Sequence, residues 1–146
     1  MSSKKPILLT GCTGTGKSKL AIELAKLNDS IIINADSMQV YRCLRILTSR
    51  PSDSDINKFP HALYGHIDCH INYSVGAWLR EIENLLNYAK DSNLRPIIVG
   101  GTGLYFSLLV NGLSNIPTIS SHVRGAANQI KKNSPNKFVQ DLKRFD

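Results

Sequence analysis

Short, continuous apolar runs alternate with longer amphipathic stretches along the first two thirds of the chain. The runs cover residues 7–10, 30–35 and 96–99, and such continuous runs are typical of strands buried on both faces of a parallel sheet. Residues 17–27 and 74–90 instead carry apolar side chains at helical spacing, with polar side chains between them. The alternation of strands with helices predicts an α/β fold with a parallel sheet.

The segment from Leu47 to Tyr73 is less regular than its neighbours. It contains Pro51, Pro60 and several serine and aspartate residues, which are typical of loops. We therefore predict a long loop or lid there, with a short strand around residues 66–67.

The pattern changes again after residue 113. Pro117 and nearby serines predict a linker, and two short polar helices are predicted over residues 123–132 and 135–145. We expect an α/β core over residues 1–113 and a separate helical segment over residues 114–146.

The composition of the chain favours an anionic binding partner. The chain has 146 residues, of which 42% are hydrophobic, and this suits one globular domain with a core. Its formal net charge of +7 favours RNA or phosphorylated substrates, although a solvated basic surface would give the same excess. No apolar run approaches the roughly 20 residues of a membrane span, and residues 1–6 lack the apolar region of a secretory signal. We therefore expect no membrane contact and a cytoplasmic location.

The cysteines favour a reducing compartment. Cys12, Cys43 and Cys69 are odd in number and form no C-x-x-C pair. We therefore expect reduced thiols and no disulfide framework.

A glycine-rich motif lies between the first predicted strand and the first predicted helix. Gly11, Gly16, Lys17 and Ser18 match the P-loop pattern G-x-x-x-x-G-K-[ST]. The motif predicts a three-layer α/β core of the P-loop NTPase type and a site for a diphosphate or triphosphate. In this site Lys17 would contact phosphate oxygens, and the Ser18 hydroxyl would hold Mg²⁺ as the cofactor. The predicted binding residues are Gly11, Cys12, Thr13, Gly14, Thr15, Gly16, Lys17 and Ser18.

Two further polar residues follow the ends of predicted strands. Asp36 comes directly after the second strand, and Thr102 lies in the glycine-rich turn after the third. Because ligands of α/β sheets bind at the carboxyl edge, both are expected near the P-loop. A capping or turn aspartate and a structural turn threonine are the alternatives.

The order of these motifs resembles that of the tRNA dimethylallyltransferases, also called adenine isopentenyltransferases. The resemblance rests on Gly-Cys-Thr-Gly-Thr-Gly-Lys-Ser at 11–18, Asn-Ala-Asp-Ser-Met-Gln-Val-Tyr at 34–41, Gly-Gly-Thr-Gly-Leu-Tyr-Phe at 100–106 and His-Val-Arg at 122–124. The P-loop alone is generic. The second and third motifs, at this separation, are much more specific.

The resemblance implies transfer of a dimethylallyl group from dimethylallyl diphosphate to the N6 amine of an adenine. That adenine is the one 3′-adjacent to the anticodon, so the implied partner is the anticodon loop of a tRNA. The resemblance also implies catalytic roles for Asp36 as the base, and for Thr102 and Arg124 beside the diphosphate. The tRNA-binding residues that it implies are Asp36, Ser37, Met38, Gln39, Thr102 and Arg124.

Length separates this chain from the family pattern. Family members are about twice as long, so the sequence resembles only their first half. The resemblance therefore implies that the α/β core over residues 1–113 is incomplete and that residues 114–146 are the start of a helical, tRNA-binding insertion. We expect a monomeric, truncated form with poor activity of its own. Two other functions stay open at this point, a P-loop kinase of a small metabolite or nucleotide and a non-catalytic basic remnant that binds RNA.

Overall fold

The structure is a computed structural model that describes residues 4–112 and 119–145. The chain divides into two compact units, Met1–Gly112 and Leu113–Asp146. The predicted linker around Pro117 lies outside the described residues. That the second unit belongs to a tRNA-binding insertion stays a prediction.

The first unit consists of four strands and four helices joined by short turns and one long loop. In chain order these are β1 (Ile7–Thr10), α1 (Lys17–Lys26), β2 (Ser30–Asn34), α2 (Asp53–Ile56), β3 (His61–Ala62), α3 (Val75–Asp91), β4 (Arg95–Gly100) and α4 (Gly103–Asn111). A single 3₁₀ turn, Arg42–Leu44, lies within the long loop.

All four strands are parallel and follow the order β1-β4-β2-β3 across the sheet. The last residues of β1 and β4, Thr10 and Gly100, are partners in the register. Asn34, the last residue of β2, pairs with Val99 on the other side of β4. The segments that follow these three strands therefore leave the sheet side by side at one edge.

Helices cover both faces of the sheet. On one face, Ala21 and Ala25 of α1 pack against Ile32, Ile97 and Val99. On the other face, apolar side chains of α3 and α4 pack against the sheet, among them Trp78, Ile82, Ala89, Tyr105 and Phe106. The predicted three-layer α/β fold is confirmed, and the apolar side chains of α3 lie in this core.

The predicted strand around residues 66–67 is wrong. The third strand lies earlier, at His61–Ala62, where it pairs with Ile32 and Ile33. Ile67 forms only an isolated bridge to Tyr41. A strand of two residues is too short to show an apolar run, so the sequence pattern did not reveal its position.

The expectation of three reduced thiols is also wrong. Cys43 and Cys69 form a disulfide, with their Cα atoms 6.2 Å apart. The bridge between Tyr41 and Ile67 brings the two chain segments together, which spacing along the sequence could not show. Cys12 is an exposed free cysteine.

The second unit contains the helices α5 (Ser121–Asn133) and α6 (Pro135–Leu142). Ser120 caps α5 by accepting a hydrogen bond from the N–H of Val123 at 3.3 Å. Within residues 4–112 and 119–145, no helix combines the length and the apolar character that crossing a membrane requires.

Candidate active site

A cavity of about 540 Å³ lies at the carboxyl edge of the sheet in the first unit. It is lined by residues of the P-loop, of the turn after β2, of the long loop and of the end of β4. The predicted site residues in its wall are Thr13, Gly14, Gly16, Lys17, Ser18, Asp36, Met38 and Gln39.

The P-loop curls tightly before α1. Gly14 and Gly16 have φ angles of +81° and +83°, which glycine adopts without a steric penalty. Thr15 Oγ1 donates a hydrogen bond to the carbonyl of Cys12 at 2.8 Å, and Lys17 Nζ donates to the same carbonyl. The first N–H groups of α1 have no partner within the helix, so this end of α1 suits an anion.

Asp36 uses its two carboxylate oxygens differently. Oδ1 accepts hydrogen bonds from the N–H groups of Met38 at 2.9 Å and Gln39 at 3.4 Å, so it stabilises a turn. A Cβ on Gly101 would lie 3.6 Å from Oδ2 and 3.6 Å from the carbonyl oxygen of Gly11. The turns after β1, β2 and β4 therefore meet at the Asp36 carboxylate.

Thr102 connects the turns after β4 and β2. Its Oγ1 accepts a hydrogen bond from Ser37 N at 2.9 Å and donates one to Ser37 Oγ at 3.3 Å. Neither residue is in the cavity wall, and the same holds for three residues of the predicted P-loop set, namely Gly11, Cys12 and Thr15. The catalytic role of Thr102 stays a prediction.

Arg124 belongs to the second unit. It is an exposed residue of α5, and its N–H donates to the carbonyl of Ser120 at 3.1 Å. Its predicted contacts with diphosphate and tRNA stay predictions.

Sequence reasoning missed part of the cavity wall. The additional lining residues are Lys19, Leu47, Thr48, Ser49, Tyr64, Val99 and Gly100. Gln39 Nε2 donates to the carbonyl of Thr48 at 2.9 Å and so holds the long loop at the cavity. This contact joins residues that no sequence motif links. Tyr64 follows β3, the strand that the pattern could not locate.

Tyr64 is an uncharged polar group in this wall. Burial raises the pKa of its hydroxyl above the ordinary value, and the negative charge of Asp36 raises it further. The hydroxyl is therefore protonated at neutral pH.

The oxygen atoms in the wall fit a magnesium ion. Mg²⁺ prefers oxygen ligands and is commonly held by one or two side chains together with substrate phosphates and water. Ser18 provides a hydroxyl beside Lys17 in the cavity wall, and Asp36 provides a carboxylate in the same wall. That Ser18 holds Mg²⁺ through its hydroxyl stays a prediction.

Two family models match the chain, and together they cover residues 5–146. The model described as IPP transferase matches residues 39–146, and the model described as isopentenyl transferase matches residues 5–64.

Relatives called tRNA dimethylallyltransferase match most of this chain. The protein of Rhizobium johnstonii is 51% identical over 124 residues, which are 85% of this chain and 42% of that protein. The protein of Dinoroseobacter shibae is 44% identical over 142 residues, which are 97% of this chain and 46% of that protein. The chain therefore spans less than half the length of these relatives.

Solved structures share the fold. A eukaryotic dimethylallyltransferase acting on tRNA superposes with a TM-score of 0.75 at 28% identity, covering 94% of this chain and 38% of that one. The full-length tRNA isopentenylpyrophosphate transferase of Bacillus halodurans gives a TM-score of 0.73 at 25% identity, covering 99% of this chain and 48% of that one. With a family model that matches residues 39–146, the chain belongs to the IPP transferase family.

Proposed function

We propose that this chain carries the donor site and the catalytic base of a tRNA dimethylallyltransferase. The reaction transfers the dimethylallyl group of dimethylallyl diphosphate to the N6 amine of the adenine 3′-adjacent to the anticodon. One observation carries the proposal: the Asp36 carboxylate and the P-loop residue Lys17 line the same cavity. The names of the similar proteins support the choice of donor and of RNA acceptor.

The chemistry requires a proton acceptor beside the amine. An adenine amine is a poor nucleophile, so its proton must leave as the new N–C bond forms. Asp36 Oδ1 is engaged in the turn, whereas no described residue donates a hydrogen bond to Oδ2. Oδ2 is therefore the oxygen that takes the proton.

Negative charge develops on the departing diphosphate when the bond between the prenyl carbon and oxygen breaks. The N–H groups at the start of α1 and the ammonium group of Lys17 stabilise this charge. Mg²⁺, held through Ser18, would supply further positive charge to the phosphate oxygens. That Thr102 also contacts the diphosphate is part of the proposal.

The cavity also offers apolar surface for the prenyl group. Met38, Leu47, Tyr64 and Val99 contribute to its wall, and the Tyr64 hydroxyl carries no charge at neutral pH. A volume of about 540 Å³ lies within the range of small-molecule sites.

The second unit is the proposed contact for the anticodon arm. Residues 113–146 contain six lysines and arginines and only two aspartates. The described part, residues 119–145, contains two helices with exposed basic side chains. Such an excess favours the phosphate backbone of RNA. Since the proposed substrate is a tRNA, we propose a cytoplasmic location.

The proposal is tested by donor choice. The purified chain is incubated with Mg²⁺, an anticodon stem-loop RNA and either radiolabelled dimethylallyl diphosphate or γ-labelled ATP. Because the chain spans less than half the length of its relatives, we expect transfer to be slow, and the binding of each donor is therefore measured by calorimetry as well. Dimethylallyl diphosphate should bind to the chain, and any label on the RNA should come from the prenyl donor alone. Label transferred only from ATP to a small acceptor would favour a kinase, and no binding of dimethylallyl diphosphate would contradict the proposal.

Variants assign the roles within the site. Asp36→Asn keeps an oxygen for the turn but removes the base, so transfer should fall by roughly 10²- to 10⁴-fold while donor binding persists. Lys17→Ala should instead weaken binding of dimethylallyl diphosphate, measured by calorimetry. Lys26→Ala is the matched control, because Lys26 is on the same helix but forms a surface ion pair with Glu23 at 2.7 Å.

A further inference from the structure

Asn34 is fully buried at the end of β2, two residues before Asp36. Its Nδ2 donates hydrogen bonds to the carbonyl of Asp36 at 2.9 Å and to that of Leu63 at 3.0 Å. Its Oδ1 accepts a hydrogen bond from the N–H of Asp36 at 3.0 Å. Both backbone polar groups of Asp36 are thus bonded to one side chain.

The core anchors Asn34 in turn. Trp78 Nε1 donates a hydrogen bond to the backbone carbonyl of Asn34 at 3.0 Å. The Trp78 side chain is fully buried and stacks on the ring of Tyr105, with a centroid distance of 4.1 Å. Asn34 therefore has little freedom to move independently of the sheet and α3.

The bond to Leu63 reaches a second part of the cavity wall. Leu63 has a φ angle of +63°, in the left-handed region that leucine rarely adopts. The hydrogen bond from Asn34 holds its carbonyl, and so fixes the peptide that leads into Tyr64. Tyr64 packs against the core cluster beneath α1 and lines the cavity with Asp36.

We propose that Asn34 is a positioning residue, which holds the Asp36 carboxylate and the Tyr64 side of the cavity in one fixed arrangement. The inference rests on the proposed function, since it takes Asp36 as the base. An amide is the chemical group that fits: it accepts one hydrogen bond and donates two at this position. Aspartate could not donate to the two carbonyls, and leucine would leave three partly buried backbone groups without this partner.

The structural part of the inference is tested by NMR spectroscopy on Asn34→Ala and Asn34→Asp. The N–H groups of Met38 and Gln39 report on the Asp36 carboxylate, because both donate to Oδ1. We expect their resonances and the ring resonances of Tyr64 to shift in the folded variants. Unchanged resonances at all three residues would overturn the inference. If Asn34→Ala does not fold, Asn34→Ser is measured in the same way.

Ser30→Ala is the matched control. Ser30 is a buried polar residue of the same strand, and no described residue forms a hydrogen bond with its hydroxyl. The substitution should therefore leave the resonances of Met38, Gln39 and Tyr64 in place.

The catalytic part is tested by a double-mutant cycle. A displaced base lowers the rate of the chemical step, so Asn34→Ala should reduce kcat by roughly 10- to 100-fold with a smaller change in KM. In the Asp36→Asn background the same substitution should have little further effect, because the group that it positions is no longer a base. Equal effects in both backgrounds would contradict the inference.

The two proposals can fail separately. If the wild-type chain does not bind dimethylallyl diphosphate, or if Asp36→Asn transfers the prenyl group at the wild-type rate, the proposed function fails. The resonances of Met38 and Gln39 still decide whether Asn34 positions Asp36. If wild-type transfer depends on Asp36 but Asn34→Ala leaves both kcat and those resonances unchanged, only the inference on Asn34 fails.

Discussion

Thr102 Oγ1 accepts a hydrogen bond from the backbone N–H of Ser37 at 2.9 Å, although the two residues are 65 positions apart in the chain. The contact joins the turn after β4 to the turn after β2. Because Ser37 follows Asp36 directly, Thr102 holds the backbone that carries the candidate base. This contact supports the structural alternative for Thr102.

Replacement of Thr102 should therefore affect stability as well as any reaction. Thr102→Val keeps the shape of the side chain but removes the acceptor, and the N–H of Ser37 loses its partner. We expect the free energy of unfolding to fall by about 1–3 kcal/mol. Thr102→Ser keeps the hydroxyl, so its free energy of unfolding should fall much less. Denaturation with urea measures both variants, and equal stability of Thr102→Val and wild type would contradict this assignment.

The sequence predicted the elements that extend over many residues. The apolar runs of β1, β2 and β4 are continuous in the sequence, and the stripe of α3 is long enough to show the helical period. The P-loop is a contiguous motif. The position of β3 could not be predicted, because its backbone pairs with β2 over only two residues, Ile32 and Ile33. Such pairing depends on the path of the loop rather than on side-chain pattern.

The residues of the cavity wall also include some that the sequence could predict and some that it could not. Lys17 and Asp36 were predictable because each follows a strand at the carboxyl edge. Tyr64 and Thr48 were not, since they are placed by hydrogen bonds of Asn34 to Leu63 and of Gln39 to the Thr48 carbonyl. Contacts between distant segments leave no periodic trace in a single sequence.

Gly100 is required by the close approach of β4 to the segment after β2. A Cβ at this position would overlap the backbone of Ala35, which cannot move without disturbing Asp36. We expect Gly100→Ala to lower the free energy of unfolding by about 1–3 kcal/mol or more, from overpacking.

Gly103→Ala is the matched control for this prediction. A Cβ on Gly103 would meet no atom within 4 Å, and the residue begins α4. Since alanine favours helix formation over glycine, this variant should be as stable as wild type or slightly more stable. Thermal unfolding of the two variants makes the comparison. An equal loss of stability in both variants would contradict the prediction, because it would show that the turn tolerates no side chain at either position, whether or not that side chain meets Ala35.

The disulfide between Cys43 and Cys69 should stabilise the loop that supplies part of the cavity wall. The two cysteines are 26 residues apart, and closing a loop of this size restricts the unfolded chain by about 3 kcal/mol in the chain-entropy model. Cys43→Ser should therefore lower the free energy of unfolding by about that amount without reductant. Under a reducing agent, the variant and wild type should be nearly equal.

Cys12→Ser serves as the control, because Cys12 is free and exposed. It should match wild type with and without the reducing agent. Mass spectrometry of the non-reduced chain after proteolysis should find the two peptides that contain Cys43 and Cys69 linked. Recovery of both as free thiols from oxidised protein would show that the bond does not form.

Tyr64 should make stability depend on alkaline pH. Its pKa is raised in the folded chain by burial and by Asp36, whereas an unfolded tyrosine titrates near pH 10. Above about pH 10 the unfolded chain loses this proton while folded Tyr64 keeps it, so the unfolded state binds fewer protons. The free energy of unfolding must then fall as pH rises. The contribution of Tyr64 is fully present below about pH 10 and is lost as pH rises towards the folded pKa.

Tyr64→Phe should remove this contribution. Its free energy of unfolding should fall less steeply than that of wild type, by up to about 1.4 kcal/mol per pH unit above pH 10. Urea denaturation between about pH 9 and 11.5 measures the slope, with Tyr88→Phe, at an exposed position of α3, as the matched control. Asp36 contributes to the raised pKa of Tyr64. In an Asp36→Asn background, Tyr64→Phe should therefore change the slope of the free energy of unfolding against pH by less than it does in the wild type. Identical slopes for wild type and Tyr64→Phe would show that the hydroxyl is not buried beside the Asp36 carboxylate.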